Sequence, residues 1–321
     1  MTIIIDPITK RLLKETTEGL KTEEDIVLYP FINGAYRVVS GENYASNFGL
    51  EWNTFQKTQI DKFSGNPISK ERFFAETGWT DSLDGQTILE VGSGAGRFSQ
   101  IILDYTKATL YSVDYSSAVE ANYRNNGPHD RMKLFQASIY ELPFQKQSFD
   151  KVICLGVLQH TPDFKESVRC LVEMVKPGGE LVIDFYPVRN ALTKVHSKYI
   201  LRPFVKRMDH NKLMKLIKRN VDFLISVYRF NKKIGLGVLN RFVPICDIDR
   251  TLPMGMTEEQ YREWVILDTF DMFSPEHDHP QRLSTVAKWV KEFGMTVMNA
   301  AFIKYSGNIE APVVKARKPL V

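Results

Sequence analysis

Residues 88–98 read ILEVGSGAGRF, an apolar run that leads directly into Gly92, Gly94 and Gly96. Glycine adopts the positive φ angles of a sharp turn and lets a ligand approach the backbone closely. A glycine loop between a strand and a helix, at the carboxyl edge of a parallel sheet, is typical of a nucleotide or cofactor site. The glycines alone also fit an ordinary strand-to-helix turn, so the surrounding sequence has to decide between the two interpretations.

The sequence around this loop alternates short β-branched runs with amphipathic stretches, the pattern of a parallel sheet covered by helices. The predicted strands are TILEV (87–91), TLYSV (109–113), MKLFQ (132–136), KVICL (151–155) and ELVIDF (180–185). The predicted helices lie near 69–77, 96–105, 117–123, 164–175 and 284–294. Strands at 295–305 and 311–317 are joined too closely for a crossover, so they should pair antiparallel. We therefore predict an α/β fold with a mostly parallel sheet and an antiparallel C-terminal hairpin.

The 321 residues divide into four regions. We predict an N-terminal appendage over 1–85, a cofactor-binding core over 86–187, a basic helical insertion with a substrate loop over 188–280, and a completion of the core over 281–321. The segment 189–250 has fifteen Lys and Arg against four Asp and Glu, or +11, whereas the whole chain has a formal charge of +4. A cationic segment therefore lies within an otherwise slightly acidic protein.

Composition excludes several classes of protein. With 43% hydrophobic and 25% charged residues, the chain is neither disordered nor fibrous. No stretch approaches about 18 consecutive apolar residues, so we expect no transmembrane segment. The start has an acid and a proline where a signal peptide needs its apolar run, and we expect a cytoplasmic protein. Cys154, Cys170 and Cys246 are isolated in sequence, which indicates neither a disulfide framework nor a cysteine-rich zinc site.

Two acids and one arginine narrow the possible ligand of the glycine loop. Asp114 ends the second predicted strand, where a carboxylate can accept both ribose hydroxyls of a nucleoside. That residue suits NAD equally well. However, the spacing is GxGxG, and Arg97 follows where a dinucleotide loop prefers its third glycine. Glu90 would repel a pyrophosphate and attract a cationic ligand.

Residues 86–187 resemble the class I S-adenosylmethionine-dependent methyltransferases, in particular the type 11 group. The motifs that carry the resemblance are LEVGSGAGR (89–97), SVDYS (112–116), SIYELPFQKQSFDKVICLGVLQHTPD (138–163) and VKPGGELVI (175–183). The resemblance implies a Rossmann-like fold and S-adenosylmethionine as cofactor. It implies that Glu90 and the loop face the methionine part, Asp114 the ribose, and Tyr115 the adenine edge. Ser138 stands where many relatives have Asp. The full set of expected cofactor residues is Glu90, Gly92, Ser93, Gly94, Gly96, Asp114, Tyr115, Ser138, Ile139 and Leu155.

The ends of the chain resemble a bacterial subgroup that modifies sugars or other small molecules, on NYASNFGLEWNTFQKTQID (43–61) and LDTFDMFSPEHDHPQ (267–281). The start is similar to a degenerate zinc ribbon, with Asp6 and Thr9 where relatives have a CxxC pair, so we expect no zinc there. An aromatic lid that excludes water is one interpretation of the first stretch, and plain core is the other. The residues concerned are Tyr44, Phe48, Trp52 and Phe55.

The second stretch is dense in acids and histidines, and Ser274 and Pro275 indicate a loop there. We expect Asp268, Asp271 and Glu276 to contribute to substrate recognition, together with Tyr44 and Trp52. His277 and His279 would share a face if the chain were extended, which would suit a metal. Acid-rich loops are usually solvated, however, and we predict no metal site.

Methyl transfer is an in-line displacement, for which the protein aligns the reactants and removes a proton from a hydroxyl nucleophile. His160, just past the fourth predicted strand, is the first candidate for the base, with His277 and His279 after it. A structural histidine that caps the following helix is the alternative for His160.

The predicted helix over 211–230 presents a basic face, opposite Leu213, Leu216 and Ile217, that consists of Lys212, Lys215, Lys218 and Arg219. A solvated or homodimer-forming helix and attraction for a phosphate-bearing substrate both explain this face. Nucleic acid is disfavoured, since no recognised RNA- or DNA-binding module is present.

We predict an S-adenosylmethionine-dependent methyltransferase that acts on a small molecule, by O-methylation of a sugar or natural-product intermediate. The alternatives are a non-catalytic module that binds the same cofactor and an NAD-dependent oxidoreductase.

Overall fold

The computed structural model describes residues 3–39, 43–80, 82–189, 195–307 and 309–320. Within these residues, eleven strands form one sheet in the order β1-β2-β3-β4-β7-β6-β5-β8-β9-β11-β10. The strands from β4 to β9 are parallel, and antiparallel pairs flank them on both sides. The predicted α/β class with its antiparallel C-terminal hairpin is confirmed.

The strand bounds follow in chain order. They are β1 (Lys14–Glu15), β2 (Gly19–Lys21), β3 (Val27–Ile32), β4 (Ala35–Arg37), β5 (Thr87–Val91), β6 (Thr109–Asp114), β7 (Met132–Gln136), β8 (Phe149–Cys154), β9 (Val175–Asp184), β10 (Thr296–Tyr305) and β11 (Ile309–Arg317).

The α-helices follow in the same way. They are α1 (Ser46–Thr54), α2 (Asp61–Ser64), α3 (Ile68–Thr77), α4 (Arg97–Tyr105), α5 (Val119–Asn126), α6 (Phe164–Met174), α7 (Ser197–Val205), α8 (His210–Lys233), α9 (Ile248–Thr251), α10 (Glu258–Phe273) and α11 (Leu283–Glu292). Short 3-10 helices cover Leu158–His160 and Gly237–Phe242.

The N-terminal region is part of the main sheet, a feature that the prediction of an appendage does not include. Strand β4 pairs parallel with β7, with Tyr36 opposite Phe135. The centroid of the Phe135 ring lies 5.2 Å from that of Tyr36 and 5.0 Å from that of Phe144. These rings extend into a buried aromatic cluster. This packing fixes the N-terminal strands against the cofactor-binding half of the sheet.

At the start of the chain, a carboxylate organises the turn that resembles a degenerate zinc ribbon. Asp6 accepts hydrogen bonds from the backbone N–H groups of Ile8 and Thr9, at 3.2 and 3.0 Å, and from the Tyr29 hydroxyl at 2.8 Å. A carboxylate can stabilise a turn in this way without a metal ion, because it accepts several donors at once.

The basic insertion builds a second apolar core. Leu213, Ile217 and Val221 of α8 are buried against α10. Leu216 is 47% exposed, which corrects the prediction that it faces inward with Leu213 and Ile217. At 3.6 residues per turn, Leu216 lies one turn beyond Lys212 and shares its exposed face of the helix. No helix in the described ranges combines the length and the apolar character needed to cross a membrane.

We expect Phe135→Ala to lower the free energy of unfolding by about 3–5 kcal/mol, because the ring is fully buried where β4 meets β7 and its removal leaves a cavity. Urea unfolding followed by circular dichroism measures this change. Phe223→Ala is the matched control: Phe223 is 70% exposed, and its loss should change stability by no more than about 0.5 kcal/mol. Equal effects of the two substitutions would contradict the assignment of the aromatic cluster as core.

Candidate functional site

The glycine loop adopts a backbone that other residues resist. Gly92, Gly94 and Gly96 have φ angles of +82°, +52° and +85°, in the left-handed region that favours glycine. A Cβ on Gly92 would lie 2.2 Å from Cγ2 of Val157, a distance that packed atoms do not reach. A Cβ on Gly94 would lie 3.0 Å from Nε1 of Trp52. The loop is therefore enclosed on both sides by the chain itself.

Asp114 fixes this loop to the end of β6. Its Oδ2 accepts a hydrogen bond from the Gly94 N–H at 2.8 Å, and its Oδ1 accepts from the N–H and the hydroxyl of Ser116 at 2.8 and 2.6 Å. Burial raises the pKa of Asp114. A helix-capping role does not apply, because Ala118 precedes α5 and its N–H donates to Ser116. Oδ1 thus already accepts two hydrogen bonds, whereas Oδ2 accepts one and keeps acceptor capacity for a ligand hydroxyl.

Glu90 lies behind the loop. Its Oε2 accepts hydrogen bonds from the hydroxyls of Ser99 and Ser112, and Asn122 donates to both of those hydroxyl oxygens. Burial raises the pKa of Glu90 to about 7. Its Oε1 is buried without a hydrogen-bond partner among the described residues, and the residue is absent from the cavity wall. Contact of Glu90 with the methionine part, which the resemblance implied, stays a prediction.

A cavity of about 920 Å³ opens in front of the glycine loop, bounded also by α1, α10 and the insertion. Of the eighteen residues predicted for the cofactor, catalysis and the substrate, twelve line it: Tyr44, Trp52, Gly92, Ser93, Gly94, Asp114, Tyr115, Ile139, Leu155, His160, Asp268 and Asp271. Six do not: Glu90, Gly96, Ser138, Glu276, His277 and His279. Ser138 instead accepts a hydrogen bond from the N–H of Tyr140 at 3.2 Å.

The aromatic residues of the N-terminal stretch divide between the two interpretations. Tyr44, Phe48 and Trp52 line the cavity, whereas Phe55 is buried in the core of the insertion. The ring of Tyr44 lies 5.0 Å from that of Tyr115, centroid to centroid. Three of the four side chains are therefore placed to exclude water from the cavity.

His160 has one ring nitrogen held and the other open. Nδ1 lies 3.2 Å from the carbonyl oxygen of His277. A carbonyl can only accept, so Nδ1 carries the proton and the lone pair of the neutral ring is on Nε2. Nε2 is buried without a hydrogen-bond partner among the described residues and lies 3.7 Å from Oδ1 of Asp271. Burial lowers the pKa of His160, so the ring is neutral at pH 7. The cap of α6 is Asp163, which removes the alternative role for His160.

The acid- and histidine-rich stretch is part helix and part loop, which corrects its prediction as a loop. Helix α10 continues to Phe273, so Asp268 and Asp271 are helical neighbours three residues apart and face the cavity together. His277 lies beyond the helix end and contributes its carbonyl to His160. Its ring stacks on that of His279 with 5.8 Å between centroids, outside the cavity.

Sequence reasoning missed two cavity residues next to this stretch. Tyr186 follows β9 and donates its hydroxyl proton to Oδ2 of Asp271 at 2.6 Å. Its place just past a parallel strand, at the ligand edge of the sheet, was a usable signal. Glu51 was hidden because it lies among the aromatic residues of α1, where its neighbours indicated a lid.

The basic face of α8 does not reach the cavity. Lys212, Lys215, Lys218 and Arg219 are exposed and absent from its wall. Other basic side chains line the cavity, from the segment 189–250: Arg189, His196, Lys198, Arg241 and Arg250. Positive charge therefore reaches the site from residues that the helical spacing did not single out.

Comparison with known proteins identifies the class of this domain. Residues 89–183 match the family described as methyltransferase domain. A tRNA U34 carboxymethyltransferase of Nautilia profundicola is 25% identical over 184 residues, which cover 56% of this chain and 54% of that protein. A ubiquinone biosynthesis O-methyltransferase of Pseudomonas putida is 32% identical over 136 residues, 39% of this chain and 57% of that protein. The chain spans about half the length of these relatives.

Among solved structures, the 1,6-didemethyltoxoflavin-N1-methyltransferase of Burkholderia thailandensis, with 1,6-didemethyltoxoflavin and S-adenosylhomocysteine bound, superposes with a TM-score of 0.45 at 13% identity, over 88% of this chain and 93% of that one. On the family match, residues 89–183 form a class I methyltransferase domain. Its cofactor is S-adenosylmethionine, and the enclosed glycine loop with the Asp114 carboxylate beside it fits that group.

Asp114→Ala should weaken S-adenosylmethionine binding at least tenfold, because it removes the acceptor of the Gly94 N–H together with the carboxylate that faces the cavity. Isothermal titration calorimetry measures the dissociation constant. Asp130→Ala, an exposed aspartate away from the cavity, should leave it unchanged. An unaltered affinity in Asp114→Ala would overturn the assignment of this carboxylate.

Proposed function

We propose that this protein transfers a methyl group from S-adenosylmethionine to a hydroxyl oxygen of a small molecule, a sugar or a natural-product intermediate. The observation that carries the proposal is the buried Nε2 of His160 in the wall of the cavity, which has no hydrogen-bond partner in the described part of the chain. A lone pair held in this way on a neutral imidazole is suited to accept a proton from a hydroxyl group.

The bound cofactor supplies a methyl group activated by its positively charged sulfur. Asp114 and the glycine loop hold the cofactor, and His160 accepts the hydroxyl proton on Nε2. The His277 carbonyl keeps the ring in the required tautomer. The negative charge of Asp271, 3.7 Å from Nε2, stabilises the imidazolium that results.

Water is kept out of the reaction by aromatic side chains on α1 and on the residues just before it. Tyr44, Phe48 and Trp52 cover the cavity wall next to the glycine loop. The rings of Phe48 and Tyr186 also lie 5.2 and 5.4 Å from that of His160 and limit the orientations that the base can take. A dry, fixed site favours transfer between aligned reactants.

The acceptor that we propose carries phosphate, since four cationic side chains from 189–250 line the cavity: Arg189, Lys198, Arg241 and Arg250. Burial lowers the pKa of His196, so that ring adds no positive charge at pH 7. The exposed face of α8 is left for solvent or for a second copy of the chain, and we propose a homodimer through it. The ubiquinone O-methyltransferase among the relatives supports an oxygen acceptor. Another relative is named a tRNA U34 carboxymethyltransferase, so the turnover assay described below also includes tRNA, and methylation of tRNA would contradict the proposed small-molecule acceptor.

We expect His160→Gln to reduce kcat by about 10²–10⁴-fold with cofactor affinity unchanged, because only the proton acceptor is lost. Turnover is measured as the release of S-adenosylhomocysteine. The acceptors offered are tRNA and a panel of hydroxylated small molecules that includes nucleotide sugars. His129→Gln, outside the cavity, is the control. Burial lowers the pKa of His160, so the kcat of the native protein should fall only at a pH below the usual titration range of histidine, where protonation removes the lone pair. His160→Gln should lose this dependence.

Cofactor binding without turnover on any acceptor would favour the non-catalytic module over the proposed enzyme. Binding of NAD in preference to S-adenosylmethionine would favour the oxidoreductase.

A further inference from the structure

Three carboxylates, Glu51 of α1 with Asp268 and Asp271 of α10, line one part of the cavity, and we call them the acid cluster. Within the described ranges, neither Glu51 nor Asp268 has a Lys, Arg or His nitrogen within 4 Å, and Asp271 has only the His160 ring. Tyr186 donates a hydrogen bond to Asp271, and Gln59 is 3.5 Å from Asp268. Among the described residues, the cluster therefore has no ion-paired lysine or arginine to stabilise its ionised form.

Glu51 is the most constrained member of the cluster. Its side chain is fully buried, and both Oε1 and Oε2 are without a hydrogen-bond partner in the part of the chain that the structure describes. A buried carboxylate of this kind is costly unless something pairs with it. Burial, and then the charges of Asp271 and Asp268, raise the pKa of Glu51 well above its usual range. Burial and Asp271 raise the pKa of Asp268 to about 7.

Two arginines act on the aspartates of the cluster through their charge, Arg97 on Asp268 and Arg202 on Asp271, and neither lies within 4 Å of a cluster carboxylate in the described ranges. Arg97 donates to Oε1 of Gln59 at 2.6 Å and to the Ser69 hydroxyl at 3.2 Å. Arg72 pairs with Asp184 and with Glu76. Both oxygens of Glu51 and Nε2 of His160 have no hydrogen-bond partner among the described residues, and they belong to residues of the same cavity wall, so this wall offers several acceptors to a ligand with N–H or O–H donors.

We propose that the acid cluster binds a protonated amine of the acceptor, so that the substrate class is an amine-bearing hydroxy compound. An ammonium group offers several N–H donors to the two Glu51 oxygens that have no partner among the described residues. Its positive charge would also stabilise the ionised form of the cluster, which burial and the mutual repulsion of the carboxylates disfavour. No group of side chains in the described residues is arranged to hold a metal ion, so a divalent cation fits less well.

This inference rests on the proposed function and specifies its substrate. The ammonium group stays protonated and anchors the acceptor, while a hydroxyl of the same molecule reacts. The acceptor oxygen forms a bond to the methyl carbon, the carbon–sulfur bond breaks with its electron pair left on sulfur, and the hydroxyl proton passes to Nε2 of His160.

The test compares matched amines and alcohols on the full chain saturated with S-adenosylhomocysteine. The probes are benzylamine with benzyl alcohol, and cyclohexylamine with cyclohexanol, at pH 7.5, with dissociation constants from saturation-transfer NMR titrations. We expect each amine to bind at least tenfold more tightly than its alcohol. Equal affinities in the native protein would overturn the proposal, and this comparison needs no variant to fold.

Variants then locate the amine preference. Glu51→Gln and Asp268→Asn should each reduce it to less than threefold and leave alcohol binding unchanged. Glu259→Gln, an exposed acid on the same helix as Asp268 and away from the cavity, should retain it in full. A preference that survives both cluster variants would place the amine elsewhere and overturn the assignment.

Cofactor affinity and turnover separate this proposal from the one on which it rests. Glu51→Gln should bind S-adenosylhomocysteine within twofold of the native protein; a large loss without any change in amine preference would assign the cluster to the cofactor and overturn the inference. If the protein prefers amines but turns over no acceptor, the proposed enzymatic function is rejected and the proposed amine subsite is retained. Turnover on neutral acceptors without amine preference rejects the subsite alone.

Discussion

The hydrogen bond from the Gly94 N–H to the Asp114 carboxylate, made at positive φ angles, is the contact on which the site depends. It joins the turn after β5 to the end of β6, and so sets the position of the backbone that a cofactor approaches. Behind it, Glu90, Ser99, Ser112 and Asn122 form a buried polar network that supports the loop from within the sheet. Such a network rigidifies a site, because a buried polar group that loses its hydrogen-bond partner raises the free energy of the protein.

The chain outside the core turns this sheet edge into an enclosed cavity. Helix α1 brings Trp52 against the glycine loop, and α10 brings Asp268 and Asp271 to the same wall. The insertion packs on α10 through its own apolar core and adds basic side chains. The acidic side chains of the resulting site come from α1 and α10, and the basic ones come from the segment 189–250. Charges of both signs in a partly desolvated cavity favour acceptors that carry complementary groups over neutral molecules of the same size.

How far the sequence could predict this arrangement depends on the range of the interaction concerned. The strand MKLFQ agrees residue for residue with β7, and the helix near 96–105 agrees with α4 to within one residue, because apolar periodicity and glycine geometry act locally. The inward placement of Leu216 was wrong, since a helix face is decided by what packs on it. The N-terminal strands were missed as sheet members because their partner, β7, is about a hundred residues away.

The sequence by itself determined the α/β class, the order of strands and helices in the core, and the residues of the glycine loop and Asp114, since each follows from short-range pattern and backbone chemistry. Only the tertiary structure decided which side chains share the cavity. It placed Glu51 and Tyr186 beside His160 and Asp271, turned Glu90 behind the loop, and left His277 to act through its carbonyl. The physical reason is that burial and long-range packing choose the neighbours of a polar group, and those neighbours set its charge and its free lone pairs.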